Sequence, residues 1–271
     1  MKRFEGKVVI ITGASSGIGK ALAYQFAEEG AKIVLASRNI ETHNLMVEDL
    51  KKKGKDAIAV KTDVSIESDC KNLIEQTVLK FGKIDVLINN AGISMRALFR
   101  DLDLNVIKNL MDINFWGTVY CSRHAIQHLE KTKGTICGVS SIAGYRGLPG
   151  RTGYSASKHA MQGFLEALRT ENLKTGINVM WVCPGYTTSN IRNTALNKEG
   201  KQQGETPFDE SKLMSAEKVA ARIANAIYKR KRTLVMTSIG KLTVFLNKFF
   251  PGLSDKLTYN FIRKEKDSPF K

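Results

Sequence analysis

The stretch KVVIITGASSGIG, residues 7–19, decides the fold. Its first six residues are apolar or β-branched almost without interruption, the pattern of a strand covered on both faces. Thr12-Gly13-Ala14-Ser15-Ser16-Gly17-Ile18-Gly19 then turns the chain into a helix predicted over residues 17–30. Glycines here let the backbone turn tightly and approach a pyrophosphate at the positive end of that helix. The spacing is Gly-x-x-x-Gly-x-Gly, not the G-x-G-x-x-G of most dinucleotide folds, so a chance glycine-rich turn is the competing reading. Gly19-Lys20 looks like the end of a phosphate-binding Walker loop, but Ala21 stands where the Mg²⁺-holding Ser or Thr belongs. That excludes a kinase or ATPase.

Outward from this turn, strands and helices alternate to the end of the chain. Further strands are predicted over residues 32–37, 57–61, 84–89, 135–140, 178–183 and 233–237. Helices fall between them: a polar one reaching Lys53, then 65–81, a long one over 105–131, 154–174 and 216–231. Strands separated by helices of crossover length specify a parallel, doubly wound α/β sheet. Only residues 186–214 look loosely structured, polar and carrying Gly200, Gly204 and Pro207. A long loop in a compact domain is usually functional, and a substrate lid is the natural reading. The expected organisation is one domain over residues 1–240, followed by an amphipathic extension over 241–271.

Composition narrows the class. A chain of 271 residues, 42% hydrophobic and 25% charged, can bury a sizeable core without disulfide or metal staples. Cys70, Cys121, Cys137 and Cys183 lack the two-residue spacing of zinc or redox motifs and read as buried free thiols. His43, His124, His128 and His159 converge on no motif, so no metal site is expected. The start is too poor in apolar residues for a secretory signal, and no run reaches the ~18 apolar residues of a bilayer span. A cytoplasmic protein is expected. The formal net charge of +16 is spread along the chain without a zinc-finger or RNA-binding signature, which argues against nucleic acid as partner.

The end of the second strand bears on the cofactor. A carboxylate there would bind a free ribose 2′-hydroxyl, whereas a 2′-phosphate calls for Arg. The chain reads Ala36-Ser37-Arg38-Asn39, so Ser37 and Arg38 favour NADP(H). A surface Arg at a strand end is the plainer alternative. For chemistry, Tyr154 and Lys158 stand four apart and so share one helix face. A free phenol titrates near 10, and a neighbouring ammonium should lower that value. The pair can then supply the proton that a hydride-accepting ketone needs, with Ser141 adding a hydrogen bond to the same oxygen.

Gly13/Gly17/Gly19, Asn89-Asn90-Ala91-Gly92, Asn114, Ser141, Tyr154/Lys158 and Pro184-Gly185 together resemble the short-chain dehydrogenase/reductase family, in order and spacing, over roughly residues 5–190. The resemblance implies a Rossmann-type sheet of seven strands in a single domain, with a homodimer or homotetramer as assembly. It makes Tyr154 the proton donor or acceptor, with Lys158 on the nicotinamide ribose and Ser141 on the substrate oxygen. Asn114 would hold a water of the proton relay. Asp63 and Val64 would lie at the adenine, and Asn90, Ala91 and Gly92 along the adenosine side. Ser15, Ser16 and Ile18 complete the phosphate turn, and Pro184, Gly185, Thr187 and Ser189 lie near the carboxamide. Ser189 departs mildly from the family's usual Thr.

The stretch 184–224 is similar to hydroxysteroid-dehydrogenase-like members acting on bulky, lipid-like or steroid-like carbonyls. Reduction of a 3-oxoacyl carrier protein is the alternative, since a basic surface attracts an acidic carrier. A non-catalytic NADP-binding scaffold is the reading from another class, and the intact Ser141-Tyr154-Lys158 set opposes it. In the extension, Leu242, Phe245, Leu246 and Phe249 recur at helical spacing, and Leu253, Leu257 and Phe261 continue the stripe among Lys241, Lys248, Lys256, Arg263 and Lys264. Such a stripe is expected to pack on the domain or a second subunit, or else to lie on an anionic bilayer.

Overall fold

A computed structural model describes residues 2–188, 191–204, 213–265, 268 and 270. Seven parallel strands form one sheet: β1 (Val8–Thr12), β2 (Lys32–Ser37), β3 (Ala57–Lys61), β4 (Val86–Asn89), β5 (Thr135–Val139), β6 (Asn178–Cys183) and β7 (Thr233–Val235). Their order is β3-β2-β1-β4-β5-β6-β7. Every residue of β1, β4 and β5 is buried, which explains their uninterrupted apolar reading.

Alternate residues of each strand feed opposite layers. Val9 and Ile11 pack with Phe26, Leu50 and Ile223 under α1 (Gly17–Glu28), α2 (Ile40–Lys52) and α7 (Ala216–Tyr228). Val8 and Ile10 pack with Leu73, Cys121 and Leu165 under α3 (Glu67–Phe81), α5 (Gly117–Thr132) and α6 (Thr152–Glu171). Each such buried aliphatic side chain contributes roughly 1.5–3 kcal/mol. The four cysteines are free and buried in these layers. Burial pushes the thiols of Cys137 and Cys183 up to about 12.

The long helix expected over 105–131 is three pieces: α4 (Leu104–Leu110), a π-helical turn (Met111–Trp116) and α5. Apolar periodicity cannot show such a turn, because one extra residue leaves most of the stripe intact. The expected loop 186–214 carries no helix or strand among its described residues. Bridges pin it at Met95–Leu196, Thr187–Met214 and Leu196–Gln202.

Two helices end the chain, α8 (Ser238–Phe249) and α9 (Pro251–Arg263). Thr237 caps α8 by accepting from Gly240 N at 3.0 Å, and Pro251 opens α9 where its missing N–H costs nothing. Packing on the domain covers little of the expected apolar stripe. Gly240 is the buried residue of α8, and Ser254 and Ile262 are those of α9.

Candidate active site

The sheet reverses its strand order between β1 and β4, and a cleft of about 650 Å³ opens there at the carboxyl ends of the strands. It brings together all but two of the residues assigned to the reaction or the cofactor. Gly13, Ser15, Ser16, Gly17, Ile18, Gly19, Ser37, Arg38, Asp63, Val64, Asn90, Ala91, Gly92, Ser141, Tyr154, Lys158, Pro184, Gly185 and Thr187 line it. Asn114 lies behind the wall, fully buried, and Ser189 falls outside the described residues.

The glycine turn is cut to fit its surroundings. Gly13 has φ +65°, and a Cβ there would lie 2.8 Å from Ala91 Cα. A Cβ on Gly19 would collide with the Gly13 carbonyl and stand 2.6 Å from Asn90 Nδ2. The backbone of α1 thereby approaches the turn closely enough to present its N–H groups to the cleft. Asn90 lines the cleft and also braces the turn. Its amide donates to the carbonyls of Thr12 at 2.9 Å and Gly13 at 3.1 Å. Thr12 Oγ1 in turn accepts from Asn90 N and Ala91 N, both at 3.0 Å. The sequence assigns Thr12 no role beyond opening the turn, because locking two loops together leaves no motif.

At the end of β2, Arg38 is exposed to the cleft, and Ser37 Oγ lies 3.2 Å from Nε2 of the buried His43. Burial holds the imidazole below its ordinary pKa. His43 thus backs the wall beside Arg38, a role invisible in a sequence where it belongs to no motif. Asp63 Oδ1 is engaged by Ser65, accepting from its N at 3.0 Å and its Oγ at 2.7 Å, so the carboxylate also shapes the turn after β3.

Tyr154 and Lys158 project from the first turns of α6, as their spacing required. Ser141, two residues past the end of β5, lines the cleft together with Tyr154. The phenol is shifted opposite to the lowering expected from Lys158. Burial raises the Tyr154 pKa, and the opposing influences come from Ser141 and Arg151. The ammonium of Lys158 lies over the Tyr154 ring at 5.8 Å and donates to the Val139 carbonyl at 2.9 Å. Burial lowers Lys158 itself to about 8. Spacing placed the two side chains on one face but could not say where the ammonium points or how little water reaches it.

Asn114 sits in the π-helical turn. Its Oδ1 accepts from Ile93 N at 2.8 Å, and Nδ2 donates to Ile93 O at 3.0 Å and Ser157 Oγ at 2.9 Å. Both amide hydrogens are therefore used, and the side chain ties the β4 loop to α6. A Cβ on Gly92 would lie 3.0 Å from Asn114 Oδ1 and 3.4 Å from Lys158 Nζ, so this glycine lets both groups close in.

The far end of the cleft holds what the sequence did not disclose. Arg151 at the N-cap of α6, Tyr186 and Arg192 line it together with Ile93, Leu148 and Leu196. Arg151 pairs with Glu265, just past α9, at 3.2 Å, and Arg96 reaches the same carboxylate at 3.2 Å. Phe261 of α9 stacks on Tyr186 with centroids 6.4 Å apart. Phe261 and Glu265 thus brace two residues of the cleft wall, Tyr186 and Arg151.

Comparison with known proteins places the chain in a family. Residues 7–200 match the short chain dehydrogenase family. The chain is similar to 11-beta-hydroxysteroid dehydrogenase-like 4A of Arabidopsis thaliana, 37% identical over 254 residues, covering 93% of this chain and 83% of the relative. It is also 34% identical over 265 residues to a dehydrogenase/reductase SDR family protein 7-like of Dictyostelium discoideum, covering 95% and 82%. Among solved structures, a short chain dehydrogenase/reductase from Burkholderia phymatum in complex with NAD superposes with a TM-score of 0.83 at 26% identity, over 93% of this chain and 96% of that one. An alcohol dehydrogenase from Thermococcus sibiricus complexed with 5-hydroxy-NADP shares the fold, with a TM-score of 0.73 at 21% identity, over 86% and 97%. The chain belongs to the short-chain dehydrogenase family, whose members are oxidoreductases.

Proposed function

We propose that the protein is an NADP(H)-dependent reductase or dehydrogenase acting on a ketone or secondary alcohol of lipid-like or steroid-like shape. The observation that carries this reading is Ser141, Tyr154 and Lys158 lining one cleft with the glycine turn. The cradle fits a dinucleotide: Gly13 and Gly19 admit no Cβ, and Ser15 and Ser16 flank the N-terminus of α1. When bound, the nicotinamide supplies or accepts the hydride.

The chain's own residues do the rest. The Tyr154 hydroxyl gives its proton to the substrate oxygen on reduction and takes it back on oxidation. A phenol kept protonated by burial suits the donor's part. Ser141 holds that oxygen with a second hydrogen bond. Lys158, retained by the Val139 carbonyl, binds the nicotinamide ribose, while Asn114 holds the β4 loop and α6 in register behind it. Asp63 and Val64 border the adenine. Pro184, Gly185, Thr187 and Ser189 flank the carboxamide. Arg38 and Ser37 take the 2′-phosphate, and no carboxylate stands beside them at the end of β2 to repel it. Ile93, Leu148, Ile191 and Leu196 give the substrate end its apolar lining. A homodimer or homotetramer in the cytoplasm completes the reading.

A panel of steroid, fatty and small carbonyls assayed with NADPH by absorbance at the reduced nicotinamide band tests it. Tyr154→Phe is expected to keep NADPH binding and to lower kcat by roughly 10²-fold or more. Near-normal turnover in that variant refutes the assignment of the proton donor.

A further inference from the structure

Helices α8 and α9 leave a face open. Leu242, Phe245, Phe249 and Phe250 are each more than half exposed, and Leu253 and Leu257 on α9 are about half exposed. Large apolar side chains in this number are rarely left to water without an occupant. They form a patch rather than a scatter. Phe245 lies 5.0 Å from Phe249 and 6.5 Å from Phe250 between ring centroids, which carries the patch across the junction of the two helices. The opposite side of α8 is fixed to the domain. Asn247 Nδ2 donates to the Tyr145 carbonyl at 2.8 Å, and Arg146 donates to Asn247 Oδ1 at 3.0 Å.

Charge says what covers the patch. Lys241, Lys248, Lys256, Arg263 and Lys264 are exposed around it. Two acids occur among the described residues of the same stretch, and both are paired: Asp255 with Arg146, Glu265 with Arg96 and Arg151. A second copy laid on this face by two-fold symmetry would set these five basic residues against their own duplicates, with no unpaired carboxylate among the described residues of α8 and α9 to answer them. An anionic surface answers them all. Lys248, over the Phe249 ring at 5.4 Å, shows the mixed arrangement in miniature, an apolar stem and ring below and an ammonium above.

We propose that α8 and α9 dock the protein on an anionic lipid bilayer, the aromatic patch entering the acyl boundary and the basic rim meeting the headgroups. No helix of the described residues is long and apolar enough to cross a membrane, so the attachment is peripheral. The inference stands apart from the reaction proposed above, since it needs neither cofactor nor turnover. Through Phe261 on Tyr186, the docked face continues to the wall of the cleft.

The test is co-sedimentation of the whole chain with phosphatidylcholine vesicles, with and without phosphatidylserine. The protein is expected to pellet with the anionic vesicles at low salt and to stay in solution with the neutral ones. Phe245→Asp/Phe249→Asp should abolish pelleting, and Lys241→Glu/Lys248→Glu/Lys256→Glu should weaken it by about five-fold per residue. Both variants alter exposed side chains remote from the cleft, and unchanged dinucleotide affinity verifies that they are folded. Wild-type protein remaining in the supernatant with anionic vesicles overturns the proposal. So does pelleting that both variants retain, which would make it a general effect of net charge. A wild-type dimer that Phe245→Asp/Phe249→Asp turns into a monomer, with no vesicle binding, assigns the face to a second copy instead.

Discussion

At the nucleotide end of the cleft, Thr12, Gly13, Gly19 and Asn90 interlock through backbone carbonyls and N–H groups. At the substrate end, Arg96, Arg151 and Glu265 are held by charge, and Glu265 lies 114 positions from Arg151 and 169 from Arg96. The first end is rigid because its partners are backbone atoms already fixed by β1 and β4. The second depends on a terminal helix returning to the domain. A mutation at one end should therefore be felt sterically, and at the other electrostatically.

Removing the charge that gathers the substrate end gives the largest expected effect. Glu265 is almost wholly buried between two guanidinium groups that are themselves mostly covered. Glu265→Gln removes the buried carboxylate that both guanidinium groups share, and breaking a buried pair costs about 3–5 kcal/mol. Thermal unfolding should shift down by several degrees, and kcat/KM should fall because Arg151 borders the cleft. Dinucleotide affinity should hold, since the glycine turn shares no partner with Glu265. An unchanged Tm, or an equal loss of cofactor binding, would break the comparison between the two ends.

The nucleotide end was legible in the sequence because its requirements are local. A glycine that must have no Cβ is a glycine in the text, and the Tyr154–Lys158 spacing is a helix face. What depended on tertiary burial was not legible. The raised Tyr154 pKa, the turn of Lys158 toward Val139 and the use of Asn114 as a tie all arise from what packs around them. Glu265 has no periodic or motif signal at all. The open face of α8 and α9 lies between these cases: the stripe could be read, but not that the domain would leave it uncovered.

A smaller effect is expected at Arg38, where one exposed side chain meets one group of the cofactor. Arg38→Asp should cost NADPH roughly 1.5–3 kcal/mol, the worth of a charge-assisted hydrogen bond, while leaving NADH binding intact or improved. Fluorescence titration with both cofactors reads it. Equal dissociation constants for NADPH and NADH in the wild type would remove the NADP(H) assignment while leaving the cradle and its chemistry standing.

The smallest effect expected is a pH dependence at the same end. His43 is buried against Ser37, and burial depresses its pKa below the ordinary value of about 6.5. The unfolded chain therefore binds a proton that the folded one resists, so stability is complete above about pH 6.5 and declines as pH falls below it. His43→Gln keeps a hydrogen-bonding amide near Ser37 and has nothing to titrate. The wild type should lose more Tm than His43→Gln between about pH 7 and about pH 5. Parallel Tm curves would mean that the imidazole gains solvent or a partner on protonation. In that event the wall behind Arg38 yields, and the nucleotide end is less rigid than its backbone interlocks make it.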